Sequence, residues 1–69
     1  MSESVYKILD LVGSSEKSWE DAARNAIERA SQSLRDLRIA EVQKFDVKIE
    51  AGKPTRFRTN LRVSFKYED

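Results

Sequence analysis

Cysteine is absent from the chain, which excludes disulfides and thiolate metal sites alike. Histidine is absent too. Without it a zinc finger cannot form, and the commonest general base of enzyme chemistry is missing. No apolar run approaches the roughly 20 residues that a membrane-spanning helix needs, and the start Met-Ser-Glu-Ser lacks the basic residues that open a signal peptide. The simplest expectation is a soluble, cytoplasmic protein without a membrane partner. Internal repeats, low-complexity stretches and linkers are also missing, so residues 1–69 read as one domain. A chain this short has little core to set against the entropy of ordering, roughly 100 kcal/mol at about 1.5 kcal/mol per residue. With neither disulfide nor metal to staple it, self-association is the remaining way to complete the core.

What is present is strongly patterned. In residues 56–67, Phe57, Thr59, Leu61, Val63, Phe65 and Tyr67 fall on one side, and Arg56, Arg58, Asn60, Arg62, Ser64 and Lys66 on the other. This period of two marks a strand. Residues 39–50 match it, with Phe45, Val47 and Ile49 opposite Lys44, Asp46 and Lys48, and Glu50-Ala51-Gly52-Lys53-Pro54 supplies a hairpin loop between the two. Residues 4–12 are rich in strand formers and stop at Gly13, which predicts a first strand. Ser18 stands three residues before Asp21, a capping box with Asp in place of the usual Glu. From there Trp19, Ala22, Ala23, Ala26, Ile27, Ala30, Leu34 and Leu37 recur at spacings of three and four, predicting a helix of about five turns. Strand, helix, strand, strand is an α+β order, with the helix on the apolar face of an antiparallel sheet and a strongly cationic face opposite.

Thirteen Lys and Arg nearly balance twelve Asp and Glu, but unevenly along the chain. Residues 1–43 hold six basic and eight acidic side chains, residues 44–66 hold seven and two, and Glu68 and Asp69 follow. Either acidic and basic regions of neighbouring copies face each other, or the basic region meets a polyanion. A nucleic-acid-binding sheet would expose aromatic rings for base stacking. Here Phe45, Phe57, Phe65 and Tyr67 fall on the apolar face, so no nucleic-acid partner is expected.

Other candidate chemistry is thin. Ser14, Ser15 and Ser18 at a helix start are read as capping residues before an anion site, because only Gly13 permits close backbone approach. Asp46, between Lys44 and Lys48, is read as a salt-bridge partner. Trp19, beside Ala22 and Ala23, is read as a packing anchor. No catalytic residue is expected, since no base stands ready for the serines.

Four segments in register carry a resemblance over essentially the whole chain: Val5-Tyr6-Lys7 through Val12-Gly13-Ser14-Ser15, Ser18-Trp19-Glu20-Asp21-Ala22-Ala23, Ile39-Ala40-Glu41-Val42 and Val63-Ser64-Phe65-Lys66-Tyr67. Together they resemble the dodecins. The resemblance implies a β-α-β-β subunit whose three-stranded antiparallel sheet partly wraps one long helix, with twelve copies closed into a hollow homododecamer. It also implies a non-enzymatic role, because dodecins bind flavins and are thought to store or sequester them.

Two positions depart from the flavin-binding members. Where those carry a Trp that stacks on the isoalloxazine ring, this chain has Ile39, which lacks a π-face. Where they carry a Gln that pairs with the flavin edge, it has Arg58, which donates but cannot accept. Glu41 and Lys48 are expected as pocket neighbours. If copies of Arg58 converge, as paired flavin sites imply, they should recruit an anion or a carboxylate such as Glu41. The Ser-Trp-Glu helix start and the Arg-Ile stretch resemble a subgroup without that Trp, one member of which binds calcium, though no calcium ligands can be assigned on this sequence. The expectation is a shell that binds or buffers a small ligand without catalysis and holds flavin, as riboflavin or FMN, weakly. A genuine flavin-storage dodecin, a shell for a cation such as calcium or for an anion, and a purely structural assembly are its alternatives.

Overall fold

The computed structural model describes residues 4–67; Met1 to Glu3 and the acidic pair Glu68 and Asp69 lie outside them. The chain runs β1 (Tyr6–Ser15), α1 (Trp19–Ala30), β2 (Leu37–Glu50) and β3 (Lys53–Lys66), in the predicted order. The sheet is antiparallel and its spatial order is β1-β3-β2, so the last strand in sequence is the central one. Among the described residues no helix is long and apolar enough to cross a membrane.

Alternation along β3 sorts the two faces as expected. Thr59, Leu61 and Val63 are buried beneath the helix, and directly opposite partners share their face, so Leu9, Leu11 and Gly13 of β1 join them. Ala22 and Ala30 are the buried helix positions. Gly13 does not end the first strand, as its residue type suggested, but pairs with Thr59 inside it. A Cβ there would collide with the Ala22 carbonyl and lie 3.0 Å from the Ala26 Cβ. The glycine therefore serves close helix–sheet approach, and β1 continues to Ser15.

The helix is shorter than its apolar spacing predicted. It stops at Ala30 after 12 residues. Ser31 Oγ donates to the Glu28 carbonyl at 2.8 Å, and turns through Gln32 and Ser33 follow, before Asp36 takes a positive φ of 56°. A short polar side chain that bonds its own backbone competes with helix continuation, and Ser31 does so where the helix ends. Leu34 and Leu37 keep the spacing but not the helix; Leu37 opens β2 opposite Phe65. The hairpin loop is also tighter than predicted. Only Ala51 and Gly52 lie between the strands, with φ of 52° and 77°, the two left-handed positions of a type I′ turn. β3 accordingly starts at Lys53.

About 18 Å of helix lies against about 46 Å of central strand, in a molecule 55 Å long and only 20 Å by 14 Å across. The helix covers β1 and β3 and leaves β2 bare. Trp19 reaches over, its ring 5.4 Å from Phe45 and 5.2 Å from Phe57, its Nε1 donating to the Asp46 carbonyl at 3.1 Å. Trp19 is thus a packing anchor. Phe45 remains 57 % exposed and Ile49 68 % exposed, although both belong to greasy stretches.

Candidate functional site

On the sheet face away from the helix, β1 contributes Tyr6, Ile8, Asp10, Val12 and Ser14 opposite the polar row of β3. Carboxylates from the flanking strands, and Glu16 just past the end of β1, meet that row. Arg62 Nε lies 3.2 Å from Asp10, Arg56 3.6 Å from Glu16, and Arg58 makes a two-pronged contact with Asp46 at 2.7 and 2.9 Å. On the face expected to be strongly cationic, Arg56, Arg58 and Arg62 are paired with carboxylates, and the exposed apolar side chains Ile8, Val12 and Ile39 stand among them.

Ile39 is 68 % exposed and sits opposite Ser64. The register of β2 slips between Leu37, which faces Phe65, and Ile39, which faces Ser64, so Arg38 is an extra residue on its strand. A bulge of this kind re-aims side chains, and here Arg38 shares a face with Ile39 instead of opposing it. Tyr6, Arg38, Ile39 and Ser64 line an open depression of about 500 Å³. The resemblance that singled out Ile39 gave no sign of Tyr6 or Arg38, because strand pairing brings the first and bulge geometry the second.

Arg58 is not in that depression. It lies six residues before Ser64 on β3, roughly 20 Å away at about 3.3 Å per residue. Its carboxylate partner is Asp46 of its own chain, where sequence reading looked to Glu41; Glu41 faces Arg62. Asp46, expected to bridge Lys44 and Lys48 along its strand, instead bonds across to Arg58. Lys48 pairs with Glu50 at 3.5 Å. Within one chain, then, the four residues form two groups, Ile39 with Glu41 and Arg58 with Lys48.

The Arg58 hydrogen bonds hold the Asp46 carboxyl below its ordinary value of 3.8, aided by the positive charges of Arg58 and Lys44 and opposed by desolvation. Arg58 is raised in turn by the same hydrogen bond and by the charge of Asp46. Because the folded carboxyl is the stronger acid, its contribution to stability is present above the unfolded value and lost as pH falls through the lower folded one. Asp46→Asn should therefore be less stable than the parent at pH 7, and the gap should close as pH falls below the ordinary carboxylate range, by denaturant titration across that range. A gap that persisted in strong acid would contradict this ion pair.

The serines near the helix start act as caps. Ser18 Oγ accepts from the Asp21 amide at 3.0 Å, and Ser15 Oγ accepts from the Lys17 amide at 2.9 Å while donating to the Asp21 carboxylate at 2.6 Å. Ser14 belongs to β1, opposite Arg58. Among the described residues no three carboxylates converge as a metal cluster would.

These features have close counterparts among known proteins. The dodecin family model matches residues 5–68. A calcium dodecin of Mycobacterium tuberculosis is 43 % identical over 63 residues, covering 91 % of this chain and 89 % of that one. The crystal structure of that calcium dodecin, described as calcium-chelating with a novel calcium-binding site, superposes with a TM-score of 0.84 at 41 % identity over 93 % of this chain and 91 % of that one. Dodecin from Streptomyces coelicolor superposes with a TM-score of 0.94 at 36 % identity, covering 100 % of this chain and 99 % of that one. A Thermus thermophilus dodecin is 35 % identical over 65 residues, 94 % of each chain. With its order of elements, its sheet and nearly its full length matched, the chain belongs to the dodecin family.

Proposed function

We propose that the chain is a one-domain, cytoplasmic subunit of a closed homododecamer that holds a small, flat ligand without catalysis on the sheet face around Ile39. The observation that carries this reading is the apolar surface one copy leaves bare. Among the described residues only Ala22, Ala30, Leu61 and Val63 form its buried apolar core, while Ile8, Val12, Ile39, Val42, Phe45 and Ile49 stand exposed on both sides of the sheet. At roughly 25 cal/mol per Å² of apolar area removed from water, covering such side chains against other copies supplies what so small a core lacks. Light scattering after gel filtration should find about 96 kDa, twelve chains of 8.0 kDa. A stable monomer would sink the proposal.

Flavin fits this surface in part. Ile39 and the Tyr6 ring offer a flat apolar bed, whereas Arg58 supplies donors and is already engaged by Asp46. A second reading, calcium, is favoured by the relative named a calcium dodecin. Four of the described carboxylates, Asp10, Glu16, Asp46 and Glu50, are paired with cations, so a site with the six to eight oxygens calcium takes would draw on more than one copy. Calorimetric titrations with riboflavin and with calcium separate the two. Heat from the metal alone would replace the flavin reading.

A further inference from the structure

Strands β2 and β3 run on past the helix as a two-stranded arm. A register slip between Val42 and Lys44 leaves Gln43 an extra residue on β2 at the base of this arm, close to Thr59, the buried β3 residue nearest the hairpin turn. A bulge there bends the strand and sharpens its twist. Beyond it Phe45 and Ile49 stand exposed on the helix side of the sheet, with Val47 and Phe57 half-buried between them. The arm stretches the molecule, whose radius of gyration is 14.3 Å where a compact chain of this length has about 11 Å. The chain exposes 5483 Å², about 1,000 Å² beyond what a folded monomer of its mass ordinarily shows, and a stable contact takes about 800 Å² from each partner.

Trp19, the first residue of the helix, ties the arm down across that bulge. Its carbonyl accepts from the Thr59 hydroxyl at 2.9 Å, which fixes it to the supported part of the sheet. Its indole packs on Phe45 and Phe57 and donates to the Asp46 carbonyl, all three in the arm. We infer that Trp19 is a latch that holds the β2–β3 arm at the angle from which its face of Phe45, Val47, Ile49 and Phe57 grips a second copy of this chain. This rests on the reading of the chain as a subunit of a homo-oligomer, and adds to it the surface that grips and the residue that sets its angle. A two-stranded ribbon is marginal by itself and twists more than a wider sheet. Freedom that must be lost on association costs affinity, so an arm already held in place binds better than a loose one. Trp19 lies outside the buried core of Ala22, Ala30, Leu61 and Val63, so freeing the arm leaves the base of the fold in place.

Light scattering across a dilution series reads the concentration at which half of the protein is assembled. Trp19→Phe keeps a ring against Phe45 and Phe57 but removes the donor, and should raise that concentration by about two- to tenfold, the range of one neutral hydrogen bond. Trp19→Ala should raise it further while circular dichroism still reports a folded chain. Ile49→Ser, at a position exposed in the single copy, should also raise it, without touching the latch. Hydrogen exchange separates the two roles: with both proteins diluted until dissociated, amides of residues 44–58 should exchange faster in Trp19→Phe than in Ile49→Ser. An unchanged half-assembly concentration in Ile49→Ser overturns the arm as the gripping surface. Equal exchange in the two variants overturns the latch, and does so even if Trp19→Ala fails to fold. A parent that is monomeric throughout the series removes the assembly reading itself, and this inference with it.

Discussion

The double substitution Ile39→Trp with Arg58→Gln should tighten riboflavin binding by about one to three decades. An aromatic stack adds roughly 0.5 to 1.5 kcal/mol beyond the area it buries, and an acceptor for the flavin ring N–H removes a further cost of about 1 to 3 kcal/mol. The second change also releases Asp46 from its two-pronged contact. That carboxylate is half exposed and regains water, so little is lost. Since the two positions lie roughly 20 Å apart on one sheet, both can touch one ligand only if they come from different copies. The single variants therefore carry information of their own. If the flavin lies between copies, each single change improves binding; nanomolar quenching by the unmodified chain, or no gain in the double variant, removes these residues from the pocket.

Gly13→Ala should be the most damaging small substitution in the chain. Its methyl group would meet the Ala22 carbonyl, a backbone atom that cannot rotate away, with the Ala26 Cβ at 3.0 Å behind it. Overpacking of a tight contact costs about 1 to 3 kcal/mol, which in a domain of this length lowers the melting temperature by roughly 5 to 20 °C. Gly52→Ala is the natural control. That position has φ of 77° and nothing within 4 Å, so it carries only the backbone penalty of about 1 to 2 kcal/mol, without a clash. Thermal unfolding of both variants should rank Gly13→Ala lower. If Gly52→Ala melts first, the close approach of helix and sheet is not what Gly13 provides.

The same glycine shows where sequence reading reached its limit. As a residue type it signals the end of a strand, and only the third dimension reveals the helix pressed against it. Leu34 and Leu37 misled in the opposite sense, keeping a helical spacing across a stretch where the helix had already ended at Ala30 in turns. Alternation, by contrast, is enforced by the pleat, and it sorted Thr59, Leu61 and Val63 from Arg58 and Arg62 correctly. Which strands pair is not encoded locally. That hid the pairing of Arg58 with Asp46, which become neighbours only through the register of β2 on β3. A bulge breaks the period that makes strands legible, which is why Arg38 escaped notice, while Ile39 beside it was singled out by the family resemblance alone.

The placement of β3 at the centre of the sheet bears on how the protein is made. β1 and β2 hydrogen-bond to β3 and not to each other, so a growing chain holds two unpaired strands until the third has been synthesised. On the ribosome the helix can form early, but the sheet cannot close until the 14 residues of β3 have cleared the exit tunnel. Up to that moment the apolar face has no floor. Premature termination within β3 would thus release a chain with two open strands and no means of pairing them, the kind of product that chaperones and proteases exist to intercept.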